Sequence, residues 1–131
     1  MIFIAGNGGL AAESEHFAAE LTGKYAYDVY IPCIALTANS AQLTALANDI
    51  GYENVFAHLL SVMGNEGDTF IGMTTSHSQN VLKAVEMAKQ KKMNVILLDA
   101  DTLLGETVEA KQEYAIKYLH KLARGMKLER I

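Results

Sequence analysis

The chain has 131 residues, 50% of them hydrophobic and 20% charged, with a formal net charge of −4. That balance belongs to one globular domain with a single core; no cluster of Lys and Arg offers the positive surface a nucleic-acid backbone demands, and no apolar run reaches the ~20 residues that cross a bilayer. The one cysteine, Cys33, excludes an intramolecular disulfide and reads as a small core side chain within the apolar run IPCIAL.

In chain order, MIFIA (1–5) is the first predicted strand. It has neither a basic leader nor a long apolar stretch, so no signal peptide is expected and the cytoplasm is the expected location. GNGG (6–9) follows and opens a predicted helix over about 8–23. Glycines at a strand-to-helix turn let the backbone approach a ligand, and the helix start offers free N–H groups and the positive end of the dipole. The pattern is not the dinucleotide G-x-G-x-x-G, and the turn alone fits a ligand-free connection equally well. His16 and Glu20, four residues apart in that helix, share one face. This spacing suits two ligands of one metal or a base beside its partner, and it also occurs on plainly solvated helices.

PCIALT (32–37) is the second strand, and Asn39 and Ser40 are capping residues for a helix over about 40–49. A further helix spans about 53–62, and TFIGMT (69–74) is the third strand. Behind it TTSHSQN (74–80) places the hydroxyls of Thr74, Thr75, Ser76 and Ser78 at a strand end just before a helix over about 78–91. A helix cap needs one hydroxyl; four beside free N–H groups favour a phosphate cradle. The lysines of KQKKMNV (89–95) read as a helix end before the fourth strand, NVILLDA (94–100). The last helix, about 106–125, carries Glu109, Gln112 and His120, the last two separated by two turns. His58 and His77 have no partner at a useful spacing.

Each strand is short and apolar on both faces, as in a parallel sheet covered by helices. The order β-α-β-α-α-β-α-β-α therefore predicts an α/β fold, three-layer α/β/α with an open parallel sheet of about four strands and right-handed crossovers. Ligands on such sheets bind outside the carboxyl ends of the strands.

Taken together, GNGGLAAESEHFAAELTG, CIALT, ANDIGYENVF, GMTTSHSQNV and QEYAIKYLH, in this order from residue 4 to about 120, resemble the sugar isomerase (SIS) domain family, in its sedoheptulose 7-phosphate isomerase (phosphoheptose isomerase) branch. The resemblance implies ketose–aldose isomerisation of a phosphorylated sugar, making a heptose 7-phosphate for surface polysaccharide such as lipopolysaccharide. By the same resemblance Glu20 and His120 are the acid/base pair; zinc is held by His16, Glu20, Gln112 and His120; and Asn7, Gly8, Gly9, Asn39, Asp49, Thr74, Thr75, Ser76 and Ser78 bind the phosphosugar. Moving a proton between neighbouring carbons through an enediol suits a carboxylate and an imidazole, and a cation near the reacting oxygens stabilises developing charge. The family's active sites lie at subunit interfaces, so self-association, as a tetramer, is implied. No nucleic acid and no membrane is expected as a partner.

The chain departs from the family pattern at particular residues. Leu10 stands where the substrate turn has serine, TTSHSQ is one residue short with His77 in place of a flexible glycine, and Lys24 replaces arginine. Asn39 replaces an aspartate, and Glu109 stands for another. The expected organisation is one SIS-like domain over 1–131, without the family's N-terminal helices and without its last strand. The alternative function is a non-catalytic SIS paralogue that binds a phosphosugar or a protein partner.

Overall fold

A computed structural model describes residues 1–131. Four strands, β1 (Ile2–Ala5), β2 (Cys33–Ala35), β3 (Thr69–Met73) and β4 (Asn94–Leu98), form one sheet in the order β2-β1-β3-β4, every pair parallel. Five helices connect and flank them: α1 (Gly9–Thr22), α2 (Ser40–Ile50), α3 (Val55–Met63), α4 (Gln79–Gln90) and α5 (Val108–Leu128). The sequence expectations for element type hold throughout. The one element they missed is a 3-10 turn at Tyr52–Asn54 that leads into α3.

Two apolar layers show why the central strands are apolar on both faces. Ile2 and Ile4 of β1 point to a core shared with Phe17 and Leu21 of α1 and Ala115, Leu119 and Ala123 of α5. Phe3 and Ala5, pointing the other way, meet Phe56 and Leu60 of α3 and Val81, Ala84 and Val85 of α4. The alternation along one strand thus assigns α1 and α5 to one face and α3 and α4 to the other. The fold is the three-layer α/β/α arrangement with four parallel strands.

Strand order fixes where a ligand can sit. From β1 the chain proceeds to a neighbour on one side, β2, and later returns to the other side as β3. The order therefore reverses between β1 and β3, which leaves a crevice at their carboxyl ends. Ala5 pairs with Gly72, so the turn after β1 and the loop after β3 leave the sheet side by side.

α1 and α5 run parallel. The amide of Gln112 packs on Gly9 at the start of α1, His120 meets Glu20, and Lys127 donates to the carbonyls of Gly23 and Tyr25 just past its end, at 2.6 and 2.8 Å. Lys127 is fully buried. Its ammonium satisfies carbonyls that the end of α1 leaves without helical partners.

Candidate functional site

Two groups of polar residues occupy different ends of α1. The first is at the crevice. Gly8 caps α1 with φ +58°, a left-handed value that L side chains rarely adopt. A Cβ on Gly9 would stand 2.7 Å from the Gln112 amide, so the position has no room for a side chain. Asn7 leans across to the other loop: its Nδ2 donates to Asn80 Oδ1 at 3.0 Å, and Asn80 Nδ2 donates back to Asn7 Oδ1 at 2.9 Å. Tyr52 also donates to Asn7 Oδ1, at 2.5 Å. Asn7, Tyr52, Glu53, Ser78, Gln79 and Asn80 line a cavity of about 400 Å³ here.

The hydroxyl-rich loop is sorted by its own bonding. Thr74 is buried, and its Oγ1 accepts from the amides of Ser76 and Ser78 at 3.2 and 2.9 Å while donating to Ser78 Oγ at 3.2 Å. A hydroxyl with one proton and two lone pairs has then no capacity left for a ligand. Thr74 shapes the loop, and Thr75, Ser76 and Ser78 are the hydroxyls beside the start of α4. His77 takes φ +54°, the conformation for which a glycine is better suited. Asn39 caps α2 through Gln42 N at 3.0 Å, so its Oδ1 is occupied. Asp49 is exposed near the other end of α2, its one hydrogen bond a 3.4 Å contact from Asn48. Leu10, which stands where the substrate turn has serine, puts no apolar group into the turn; it is buried in the core with Phe17.

The second group lies on the α1–α5 seam. Glu20 is buried, and its Oε1 stands 2.9 Å from His16 Nε2 and 2.7 Å from His120 Nδ1. The two imidazoles meet edge to face, with ring centroids 5.5 Å apart. Tyr25 packs on His120 at 5.6 Å, and the Arg124 guanidinium lies over the Tyr25 ring at 5.5 Å. His120 Nδ1 and Glu20 Oε2 are buried without hydrogen-bond partners, so the short contacts reflect convergence on a common point rather than aligned donor–acceptor pairs. A space of about 10 Å³ lies against Glu13, His16, Phe17, Glu20, Ile116, Leu119 and His120, about one water or one ion in size.

The donor set fits a metal ion. One nitrogen from each histidine and one oxygen from Glu20 lie within 4.8 Å of one another. Two imidazoles and a carboxylate around a small void, with a further position open, is the ligand pattern of catalytic zinc sites. Gln112 is not brought to this trio: its amide packs on Gly9, seven residues before His16, or about 10 Å along the helix axis.

Sequence reasoning missed Glu13. It shares the α1 face with His16 and Glu20, is buried, and leaves Oε2 without a partner; burial pushes its carboxyl up to about 7. Nothing in the pattern singles it out, since an isolated Glu on an amphipathic helix reads as a solvated position. Asn80 and Tyr52 were missed for the same reason: their partner Asn7 is distant in sequence.

Glu20 stands eleven residues past Gly9, about 16 Å along α1, so the seam and the crevice are not within one proton transfer of each other in a single chain. The glycine turn and the part of α1 that carries Glu20 are neighbours in sequence but not in space.

Comparison with known proteins identifies the family of this fold. Residues 1–100 match the family model described as SIS domain. The phosphoheptose isomerase of Sulfurimonas denitrificans is 48% identical over 97 residues, covering 72% of this chain and 50% of that protein. That of Aneurinibacillus thermoaerophilus is 42% identical over 118 residues, 88% of this chain and 59% of its own. The chain thus spans little more than half the length of these curated relatives. Among solved structures, the Neisseria gonorrhoeae phosphoheptose isomerase superposes with a TM-score of 0.85 at 32% identity, covering 95% of this chain and 74% of that one. The Francisella tularensis phosphoheptose isomerase gives 0.89 at 27%, with 97% and 76% covered. The chain belongs to the SIS domain family, in its phosphoheptose isomerase branch.

Proposed function

We propose that the protein is a phosphosugar ketose–aldose isomerase that converts sedoheptulose 7-phosphate to a heptose 7-phosphate, supplying heptose for surface polysaccharide. The observation that carries this reading is the convergence of Glu20 and His120 on the α1–α5 seam, a carboxylate and an imidazole 2.7 Å apart. One removes the proton from the carbon beside the carbonyl, and the other serves the oxygen that becomes or ceases to be a carbonyl; together they pass through an enediol. The crevice holds the phosphorylated end through Asn7, the amides of Gly8 and Gly9, the hydroxyls of Thr75, Ser76 and Ser78, and the start of α4. Thr74 supports this set by ordering the loop, and Asn39 and Asp49 belong to it by resemblance.

His16, Glu20 and His120 are the residues that would hold zinc; Gln112, which the resemblance adds to them, packs on Gly9 within this chain. When bound, the ion polarises the sugar oxygens and stabilises charge on them. The separation of seam and crevice supports a shared site, in which one copy presents its seam to the crevice of another within a homo-oligomer, a tetramer by resemblance. A phosphorylated sugar does not cross membranes unaided, which favours a cytoplasmic setting. No helix is long and apolar enough to cross a membrane.

The test is a coupled assay on sedoheptulose 7-phosphate, with and without zinc. Turnover that Glu20→Gln abolishes supports the reading. A zinc-replete protein that binds the phosphosugar without converting it is instead the non-catalytic paralogue.

A further inference from the structure

The polarity of the Asn7–Asn80 pair is set by a group that has no choice. The backbone N–H of Val81 donates to Asn80 Oδ1 at 2.9 Å, and an amide N–H can only donate. The oxygen of Asn80 is therefore fixed on that side, where it also receives Asn7 Nδ2 at 3.0 Å. That in turn places Asn7 Oδ1 opposite Asn80 Nδ2, at 2.9 Å, where the Tyr52 hydroxyl donates to it as well. Each side-chain oxygen now accepts two hydrogen bonds and is saturated, while each amide nitrogen has given one proton and keeps one.

The result is a site edge with donors and no acceptors from these two residues. Beside it, the backbone amides of Gln79 and Asn80 in the first turn of α4 have no intramolecular partner. No Lys or Arg lines this cavity. The one charged residue in the lining, Glu53, is an acceptor, so an anion is held here by neutral donors alone and their orientation is decisive. Asn80 is buried, with 3% of its surface exposed, and belongs to the first turn of α4 behind the β3 loop, whereas Asn7 belongs to the turn after β1.

We propose that Asn80 is a positioning residue for the sugar phosphate. Acting through Asn7, it locks the glycine turn into a donor-only state that accepts an oxygen lone pair of the ligand. This deepens the functional reading above and rests on it for the identity of the ligand. A mere packing role would let Asn80 contribute independently of Asn7; a positioning role requires that its effect vanish when the Asn7 amide is gone.

The experiment is a double-mutant cycle on binding. Asn7→Ala, Asn80→Ala and the pair together are made in a Glu20→Gln background, so that sedoheptulose 7-phosphate binds without turnover, and Kd is read by calorimetry. Each single variant is expected to weaken binding about tenfold, and the double variant to match the singles within about twofold. Asn80→Asp, which cannot donate to Asn7, is expected to weaken binding as Asn80→Ala does. Tenfold effects that multiply in the double variant overturn the proposal, as does an Asn80→Ala protein that binds like its parent, or a parent that does not bind. Wild-type turnover is scored separately: a coupled cycle without turnover sinks the isomerase reading and leaves the positioning role standing, and turnover with an uncoupled cycle does the reverse.

Discussion

Glu20 lies between two imidazoles that approach the same oxygen, and its other oxygen is buried without a partner. Replacing it with Gln removes the proton acceptor without changing shape, so kcat is expected to fall at least about 10²-fold with little change in KM. His120→Gln is expected to do the same. Steady-state kinetics with thermal unfolding in parallel checks both, and an equal loss of melting temperature would reassign the residues to structure. Glu13 makes the opposite kind of prediction. Burial pushes its carboxyl from 4.5 up to about 7, so the folded state binds the proton more tightly than the unfolded one. Stability is whole below pH 4.5, falls as pH rises from 4.5 to 7, and stays reduced above. In metal-free protein Glu13→Gln is expected to be more stable at pH 8, on the order of 2 kcal/mol after allowance for partial hydration, and unchanged at pH 4. Urea unfolding at the two pH values decides it.

At the scale of elements, three lysines each tie two carbonyls of a neighbouring segment. Lys91 reaches Leu60 and Ser61 at the end of α3, Lys111 reaches Ala100 and Leu103 in the loop after β4, and Lys127 reaches Gly23 and Tyr25 after α1. Lys127 is the buried one, and it closes the α1–α5 seam on which Glu20 and His120 stand. Lys127→Met keeps the length and removes the donor, leaving the Gly23 carbonyl unpaired and the Tyr25 carbonyl with only the Tyr27 N–H; a loss of about 2 kcal/mol in urea unfolding is expected. Most elements were legible from sequence because short apolar runs alternate with helical periods, and Asn39 was recognisable as a cap from local chemistry alone. His16 with Glu20 was legible as a spacing. Their meeting with His120 is a contact between opposite ends of the chain, so periodicity held no sign of it and only the family resemblance joined them. The saturation of Thr74 and the burial of Glu13 depend on loop geometry and packing that no local pattern encodes.

For the molecule as a whole, the distance between crevice and seam predicts a shared site. An inactive Glu20→Gln protein and an Asn7→Ala protein impaired in binding are expected, when dissociated and reassociated together, to show more activity at low substrate than the two separate proteins combined, since some mixed interfaces then pair an intact crevice with an intact seam. The absence of such a gain, alongside a mixed oligomer seen by mass measurement, would put the whole site in one chain. Zinc is expected to stabilise the fold through α1 and α5 jointly, by about 2.7 kcal/mol at a hundredfold excess over Kd, read as a rise in melting temperature, and His120→Ala to abolish most of that rise. The seam has a further consequence for synthesis. Glu20 leaves the ribosome with the first helix, but His120 and Lys127 follow only with the last. A nascent chain can pair all four strands while its buried carboxylate still lacks both its imidazole across the seam and the clamp that closes it. The His16–Glu20–His120 cluster is thereby incomplete until α5 has docked.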